Sequence, residues 1–303
     1  MGPVPAIPSN TPLRILWLET GDLYTIRRGL EAGAERGLVV EHIEMSALRF
    51  EADGKRARLT HDGRDVVDSF DVAIMRTYMP YVSEALTVAR FFADAGKVVI
   101  DRSLVDEGYA MGKMHDYLRL SAAGIAVPKT VQAPTLEEAL IVADKVGYPC
   151  VLKSTFGSCG EHVFRAKDED ALCQLYATEP LGHWLVQEYL PTETDVRVMV
   201  VGGKALPSFV RRTPAAGDFR TNFDHDAAIE SVPLETRPDL QALAEAAAHV
   251  LRREFTGVDI RERDGVPLVL EANRRPGFKA FEAATGLDVA GALMDYVKTR
   301  FEA

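Results

Sequence analysis

Residues 256–273 read TGVDIRERDGVPLVLEAN. Two apolar-rich runs flank Asp264-Gly265, a dipeptide that favours the tight turn of a β-hairpin. A hairpin centred there sets opposite one another residues whose numbers sum to about 530, and cross-strand partners project to one face. Asp259 and Glu271 meet that condition, and Asn273, two residues on, shares their face. Two carboxylates and one amide oxygen then converge. Unpaired, neighbouring carboxylates repel and one tends to take up a proton. A hard divalent cation removes that cost, and Mg2+ favours oxygen ligands of this kind, with Mn2+ as a substitute. A solvated polar strand face is the bland alternative, but the adjoining apolar run Pro267–Leu270 argues for a buried setting.

Upstream, Pro149–Lys153 reads as a strand running into the loop STFGSCGEH, followed by a strand at His162–Arg165. Gly157 and Gly160 let the backbone bend close to an oxyanion, with N–H groups aimed at phosphate. Lys153 adds a point charge beside them. Glycine-bearing hairpins are common, so the loop gains weight from the metal pattern: Mg2+ often bridges protein carboxylates and nucleotide phosphates. In DVRVMVV, 195–201, the valines at 196, 198 and 200 point one way, into a core, and Asp195, Arg197 and Met199 the other. A surface Asp195–Arg197 pair would be worth little. Arg211, Arg212, Arg220, Arg274 and Arg275 follow in a chain whose net charge is −10. Arginine suits bidentate binding of carboxylate or phosphate. The expectation is a concentrated cationic cleft that takes an anionic substrate.

The 303 residues suffice for two or three domains at roughly 100–200 residues each. A composition 47% hydrophobic and 26% charged excludes a mainly disordered, collagenous or coiled-coil chain. The acidic balance disfavours a broad nucleic-acid or anionic-membrane surface. No apolar run approaches the ~20 residues of a membrane helix. The proline-rich start, 1–12, is expected to be a flexible tail rather than a secretory signal. Three cysteines, Cys150, Cys159 and Cys173, without a CxxC pair argue against a disulfide framework or structural zinc, and point to a reducing cytoplasmic setting. Short apolar strands at Leu13–Leu18, Leu38–Ile43, Asp71–Met75 and Lys97–Ile100 alternate with helices at 22–36 and Ser83–Ala95, the pattern of an open parallel sheet. Thr135 opens a capping box with Glu138, and Gly147 stops the helix after Val146. Strands are expected at Trp184–Tyr189, Asp195–Val201 and Lys204–Val210, with a helix over Leu240–Phe255.

Two patterns are decoys. Gly29, Gly33 and Gly37 have the wrong spacing for a dinucleotide fingerprint and do not follow a strand at a βα turn. GYAMGK, 108–113, has one residue too few for a P-loop, and Met114 stands where a Ser or Thr would hold magnesium.

An ordered series now extends through the chain. Lys113 precedes Gly124-Ile125-Ala126-Val127-Pro128-Lys129-Thr130; then come Val151-Leu152-Lys153 with its glycine loop and Gln187-Glu188-Tyr189-Leu190. Asp195-Val196-Arg197-Val198, Val201-Gly202-Gly203-Lys204, Arg211 and Asp218-Phe219-Arg220-Thr221-Asn222 follow. Gly257-Val258-Asp259, Leu270-Glu271-Ala272-Asn273 and Pro276-Gly277 close it. Over roughly residues 105–299 the series resembles the ATP-grasp superfamily and, within it, the RimK-like glutamate ligases; the first hundred residues share only the α/β pattern. The resemblance implies an α/β N-terminal domain, 13–104, followed by a two-lobed α+β ATP-grasp fold, 105–188 and 189–303, that clamps ATP. It implies Lys113 and Lys153 as phosphate contacts, Glu188 and Tyr189 at the adenine, Asp195 at the ribose, and Arg220 to Asn222 closing over the phosphates. It also implies Asp259, Glu271 and Asn273 as Mg2+ ligands, in agreement with the hairpin. Phe223-Asp224-His225-Asp226 and Arg274-Arg275 depart from the family pattern where substrate is expected.

The expected activity is an ATP- and Mg2+-dependent carboxylate–amine ligase of the glutamate-ligase type. Arg197 and Arg211 would stabilise the acyl-phosphate stage, and no Cys or Ser nucleophile is needed. A small-molecule or peptide carboxylate and an acidic amino acid are the expected substrates, with no nucleic-acid or membrane partner; a homo-oligomer is compatible. A non-catalytic ATP-binding scaffold and an ATP-grasp enzyme with another nucleophile are the alternatives.

Overall fold

The computed structural model describes residues 11–76, 80–106, 112–155, 162–178, 184–191, 195–213 and 228–303. The chain begins with β1 (Arg14–Leu18), α1 (Leu23–Glu35) and β2 (Val39–Ile43). A small antiparallel sheet of β3 (Arg49–Asp53), β4 (Arg56–His61) and β5 (Arg64–Asp65) follows, then α2 (Val66–Ser69), β6 (Val72–Met75), α3 (Val82–Asp94), β7 (Val98–Ile100) and α4 (Ser103–Asp106). Strands β2-β1-β6-β7 pair in parallel, as the apolar runs predict. Two glycines of the first decoy pattern serve packing: a Cβ on Gly29 would lie 2.6 Å from the Trp17 ring, and one on Gly33 2.2 Å from Val40. They let α1 lie close on the sheet. The small antiparallel sheet escaped the sequence reading, although Gly54-Lys55 and Asp62-Gly63 form its turns.

Next come α5 (Lys113–Ala122), β8 (Thr130–Ala133), α6 (Leu136–Val146), β9 (Cys150–Ser154), β10 (Val163–Ala166), α7 (Glu169–Tyr176) and β11 (Trp184–Glu188). The strands form an antiparallel sheet in the order β10-β9-β11-β8, covered by α6 and α7 around Trp184 and Leu152. The Thr135 hydroxyl accepts from the Glu138 N–H, and Gly147 takes a positive φ of 85°, as the capping reading requires.

The last sheet contains β12 (Asp195–Val201), β13 (Lys204–Thr213), β14 (Ala228–Pro233), β15 (Phe255–Arg263) and β16 (Val266–Asn273), with α8 (Pro238–Val250) between β14 and β15. Its order is β14-β13-β12-β15-β16, all antiparallel. Val196, Val198 and Val200 pack under α8 with Leu240 and Ala244. The helix stops five residues short of the expected Phe255. Arg252 turns left-handed at φ 51° and the Arg253 N–H caps the Ala248 carbonyl, so Glu254 and Phe255 are released to extended chain. Helix α5 touches the central sheet through Tyr117 and Lys153, and packs through Leu120 against this last core.

Two final helices, α9 (Lys279–Thr285) and α10 (Val289–Glu302), return to the start of the chain. Phe281, Leu293, Met294 and Val297 share one core with Ile15, Trp17, Met199 and Phe255. Arg28 and Arg36 on α1 pair with Glu282, Asp288 and Asp295. The first sheet is thus clamped to the last.

The carboxyl ends of three parallel strands meet the segment just after β16. Glu19, fully buried, accepts from Arg275 at 3.2 Å. Arg76 donates to the Pro276 carbonyl at 3.0 Å and stacks on Trp17, Phe255 and Phe278. Asp101 lies 4.0 Å from Arg274, which also donates to the Ser103 hydroxyl. Open α/β sheets bind ligands at this edge; here the chain's own 274–276 segment takes the place.

Because Leu293 is fully buried in the core shared by the two ends of the chain, Leu293→Ala should cost about 2–5 kcal/mol in urea unfolding. A loss below about 1 kcal/mol would mean α10 is not part of that core.

Candidate active site

In the β15–β16 hairpin Asp259 pairs with Glu271 and Gly257 with Asn273, so the three predicted oxygen donors share one face. A β-bulge produces this register: the ladder steps from Asp259↔Glu271 to Ile260↔Val269, leaving Leu270 as the extra residue.

Asp259 is buried and surrounded. Arg197 on the neighbouring strand grips it in bidentate fashion, Nε to Oδ1 at 2.8 Å and Nη2 to Oδ2 at 2.7 Å. Arg212 donates to Oδ1 at 2.7 Å and the Asn273 amide donates to Oδ2 at 3.0 Å. Gly257 makes the room: a Cβ there would lie 3.4 Å from Arg197 Cδ and 3.2 Å from Met199 Sδ. Burial by itself would raise the Asp259 carboxyl, but the Arg197 and Arg212 guanidiniums outweigh it and hold the group at about 2.

Asn273 also donates to the Gly257 carbonyl at 3.1 Å. Both its amide hydrogens are therefore committed, and Oδ1 is the atom left to a ligand. Glu271 is half-buried. Among the described residues no three His, Cys, Asp or Glu side chains gather as a metal cluster. The donor set is thus two carboxylates plus an amide oxygen, which fits a hard cation that retains waters. Glu271 and Asn273 stand ready for it, whereas Asp259 must share its oxygens with arginines.

Of the catalytic pair expected from sequence, Arg197 lies against Asp259, whereas Arg211 pairs in register with Val196, whose side chain enters the core on the other face, and its guanidinium lies 3.4 Å from Glu230. Its neighbour Arg212, paired with Asp195, occupies the Asp259 side instead. Adjacent strand residues face opposite ways, and choosing between two consecutive arginines required the β12–β13 register.

Lys153 is buried at the end of β9. It donates to the Tyr117 hydroxyl and lies 4.8 Å from the centroid of that ring. Burial pulls its ammonium down to about 8, with Glu271 opposing and Arg261 adding to the fall. Lys113 opens α5, its backbone N–H bonded to the Thr155 carbonyl at 3.2 Å, so both predicted phosphate lysines flank the end of β9. Gly157, Gly160, Arg220 and Asn222 lie outside the described residues.

On the predicted nucleotide segment, Glu188 accepts from Arg263 at 2.8 Å and from the Lys129 N–H at 2.8 Å. Tyr189 lies under the Arg165 guanidinium, 5.6 Å from it. Asp195 is buried against Arg261, which also donates to the Leu190 carbonyl. The expected cationic cleft is therefore a lattice of ion pairs: Arg197, Arg212, Arg261, Arg263, Arg274 and Arg275 all have carboxylate partners. The sequence reading missed those partners because they come from distant segments. It also missed Tyr117, Glu19 and Arg76, which no local motif marks.

Comparison with known proteins adds an independent finding. Residues 110–297 match the family model of the RimK-like ATP-grasp domain. A relative from Aliivibrio salmonicida named "Probable alpha-L-glutamate ligase" is 30% identical over 287 residues, 91% of this chain and 92% of that protein. Among solved structures, the RimK domain ATP-grasp protein of Sphaerobacter thermophilus superposes with a TM-score of 0.69 at 23% identity, covering 93% of this chain and 98% of that one. The ATP-grasp ligase PsnB, complexed with a precursor variant, Mg and ADP, has a TM-score of 0.72 at 20% identity, covering 95% and 98%.

Two expectations follow. Glu271→Ala should abolish ADP formation without changing the unfolding midpoint; near-normal turnover would reject Glu271 as a metal ligand. Affinity for a non-hydrolysable ATP analogue, titrated calorimetrically, should fall about tenfold as pH rises from 7 to 9, because only protonated Lys153 attracts phosphate and it titrates at about 8. A flat profile would separate Lys153 from the phosphates.

Proposed function

The chain belongs to the RimK-like ATP-grasp family, and on that premise we propose that it is an ATP- and Mg2+-dependent carboxylate–amine ligase of the glutamate-ligase type, working in the cytoplasm. The carrying observation is the shared face of Asp259, Glu271 and Asn273, with the buried Lys153 linked to the same hairpin through the Tyr117 hydroxyl. The γ-phosphoryl group of ATP passes to a substrate carboxylate with ADP as the leaving group, and an amine then displaces inorganic phosphate from the acyl phosphate to give an amide. Such chemistry is mostly positioning and charge neutralisation. Asp259, Glu271 and Asn273 would hold magnesium, which would neutralise charge on the phosphates.

Lys113 and Lys153 bind phosphate oxygens on the nucleotide side. Gly157, Gly160, Arg220 and Asn222 stay in the proposal as phosphate-closing groups on sequence grounds alone. Glu188 and Tyr189 form the adenine segment. Since the Glu188 carboxylate is already held by Arg263 and the Lys129 N–H, this segment offers the base mainly backbone groups. Asp195 supports that segment through Arg261 and Leu190 rather than presenting an unengaged carboxylate to the ribose. Arg197, with Arg212 behind it, holds Asp259 and faces the acyl-phosphate stage.

The added amino acid is glutamate or a close acidic analogue. The support is the naming of the relatives, since the arginines first expected to attract it are paired within the protein. ADP release should be assayed with each proteinogenic amino acid against a panel of free and peptide carboxylates. Glutamate should give the highest rate. A preference for neutral amino acids would overturn the acidic assignment. Tight nucleotide binding with no ADP release under any pairing would favour a scaffold.

A further inference from the structure

Tyr117 has no chemical role in the reading so far, yet it contacts both halves of the site. It is 4% exposed, on the second turn of α5. Its hydroxyl donates to the Leu270 carbonyl at 2.6 Å and accepts from the Lys153 ammonium. The roles are fixed by chemistry: an ammonium only donates, a carbonyl only accepts, and a hydroxyl has one hydrogen.

The two partners are a specific pair. Leu270 is the bulged residue of β16, the one the ladder skips. A two-residue turn at Asp264-Gly265 without a bulge would set Asp259 opposite Leu270 and send Glu271 to the other face, since a one-residue slip inverts a strand. Tyr117 therefore bonds the backbone of the residue that turns Glu271 towards Asp259. Lys153 is the buried lysine whose charge is coupled to that same Glu271. A buried phenol needs a partner to be tolerated, and Gln187 beside it would serve; packing alone gives no reason for its partners to include the bulge and the phosphate lysine.

We infer that Tyr117 is a positioning residue that aims Lys153 at the nucleotide phosphates and holds the Leu270 bulge that presents Glu271 to the metal. This rests on the proposed phosphate role of Lys153. One hydroxyl thereby couples α5, the central sheet and the metal hairpin, so that lysine and carboxylate are set at a fixed mutual position before nucleotide arrives.

The test uses the full chain and Tyr117→Phe, which keeps the ring and its packing and removes only the hydroxyl. Circular dichroism and urea unfolding establish that the variant is folded. Two ligands are then titrated without turnover: a non-hydrolysable ATP analogue by calorimetry, and Mn2+ alone by electron paramagnetic resonance. Tyr117→Phe should weaken both about tenfold, and Lys153→Met should weaken the analogue at least as much. In the double variant the analogue should bind within about twofold of Lys153→Met, because Tyr117 acts on phosphate only through that lysine. Additive losses would show a merely structural residue and overturn the inference. So would a Tyr117→Phe protein that binds both ligands within twofold of the parent while Lys153→Met is impaired. Normal analogue binding by Lys153→Met would instead overturn the phosphate reading of Lys153, and the Tyr117 role on phosphate with it.

Discussion

With turn residues Asp264 and Gly265 and no bulge, Asp259 would face Leu270, and Glu271 would project from the opposite side of the sheet. The extra residue at 270 inverts that outcome, and the site depends on it. Downstream of the bulge Glu271 and Asn273 fall on the Asp259 side; upstream Val269 and Leu268 keep their places in the ladder and stay buried. The bulge frees a carbonyl that α5 then satisfies, so a local irregularity becomes an anchor for the neighbouring helix.

Around this register the sheet assembles an unusual charge arrangement. One buried carboxylate, Asp259, meets two buried arginines. Removing one member of such a cluster leaves an uncompensated charge and typically costs about 3–5 kcal/mol. The cluster ties β12, β13 and β15 together, because no member can leave without stranding a charge. It also sets the chemical character of the site, since Asp259 stays ionised at any physiological pH while both its oxygens are engaged. A ligand that needs Asp259 must compete with guanidinium groups already in place.

The first sheet supports this arrangement from the other side. Glu19, Arg76 and Asp101, each just past the carboxyl end of a parallel strand, hold residues 274–276 immediately after Asn273. The edge where an α/β sheet usually receives a ligand is used to brace the hairpin, and the packing of α10 against α1 and β1 keeps the two parts together. The arginines at 274 and 275, read from sequence as substrate contacts, are spent on that brace.

By itself the sequence determined the strands of the parallel sheet and of the metal hairpin, and the chemistry those segments carry. Apolar periodicity located the strands, the Thr135 cap and Gly147 bounded α6, and Asp264-Gly265 placed the hairpin that carries the metal face. These features are local, written in propensities, caps and turn residues a few positions apart. The ordered motif series was legible for the same reason. Tertiary structure decided which of two adjacent arginines reaches Asp259, where the paired cations find their carboxylates, and that Tyr117 lies between Lys153 and Leu270. It also decided that α10 joins the last sheet to the first in one core, and that α5 reaches the core under α8 through Leu120. Each of these outcomes hangs on a one-residue register or on a partner roughly 35 to 260 positions away. No local propensity distinguishes the alternatives there; burying charge with its partner and filling a shared core does.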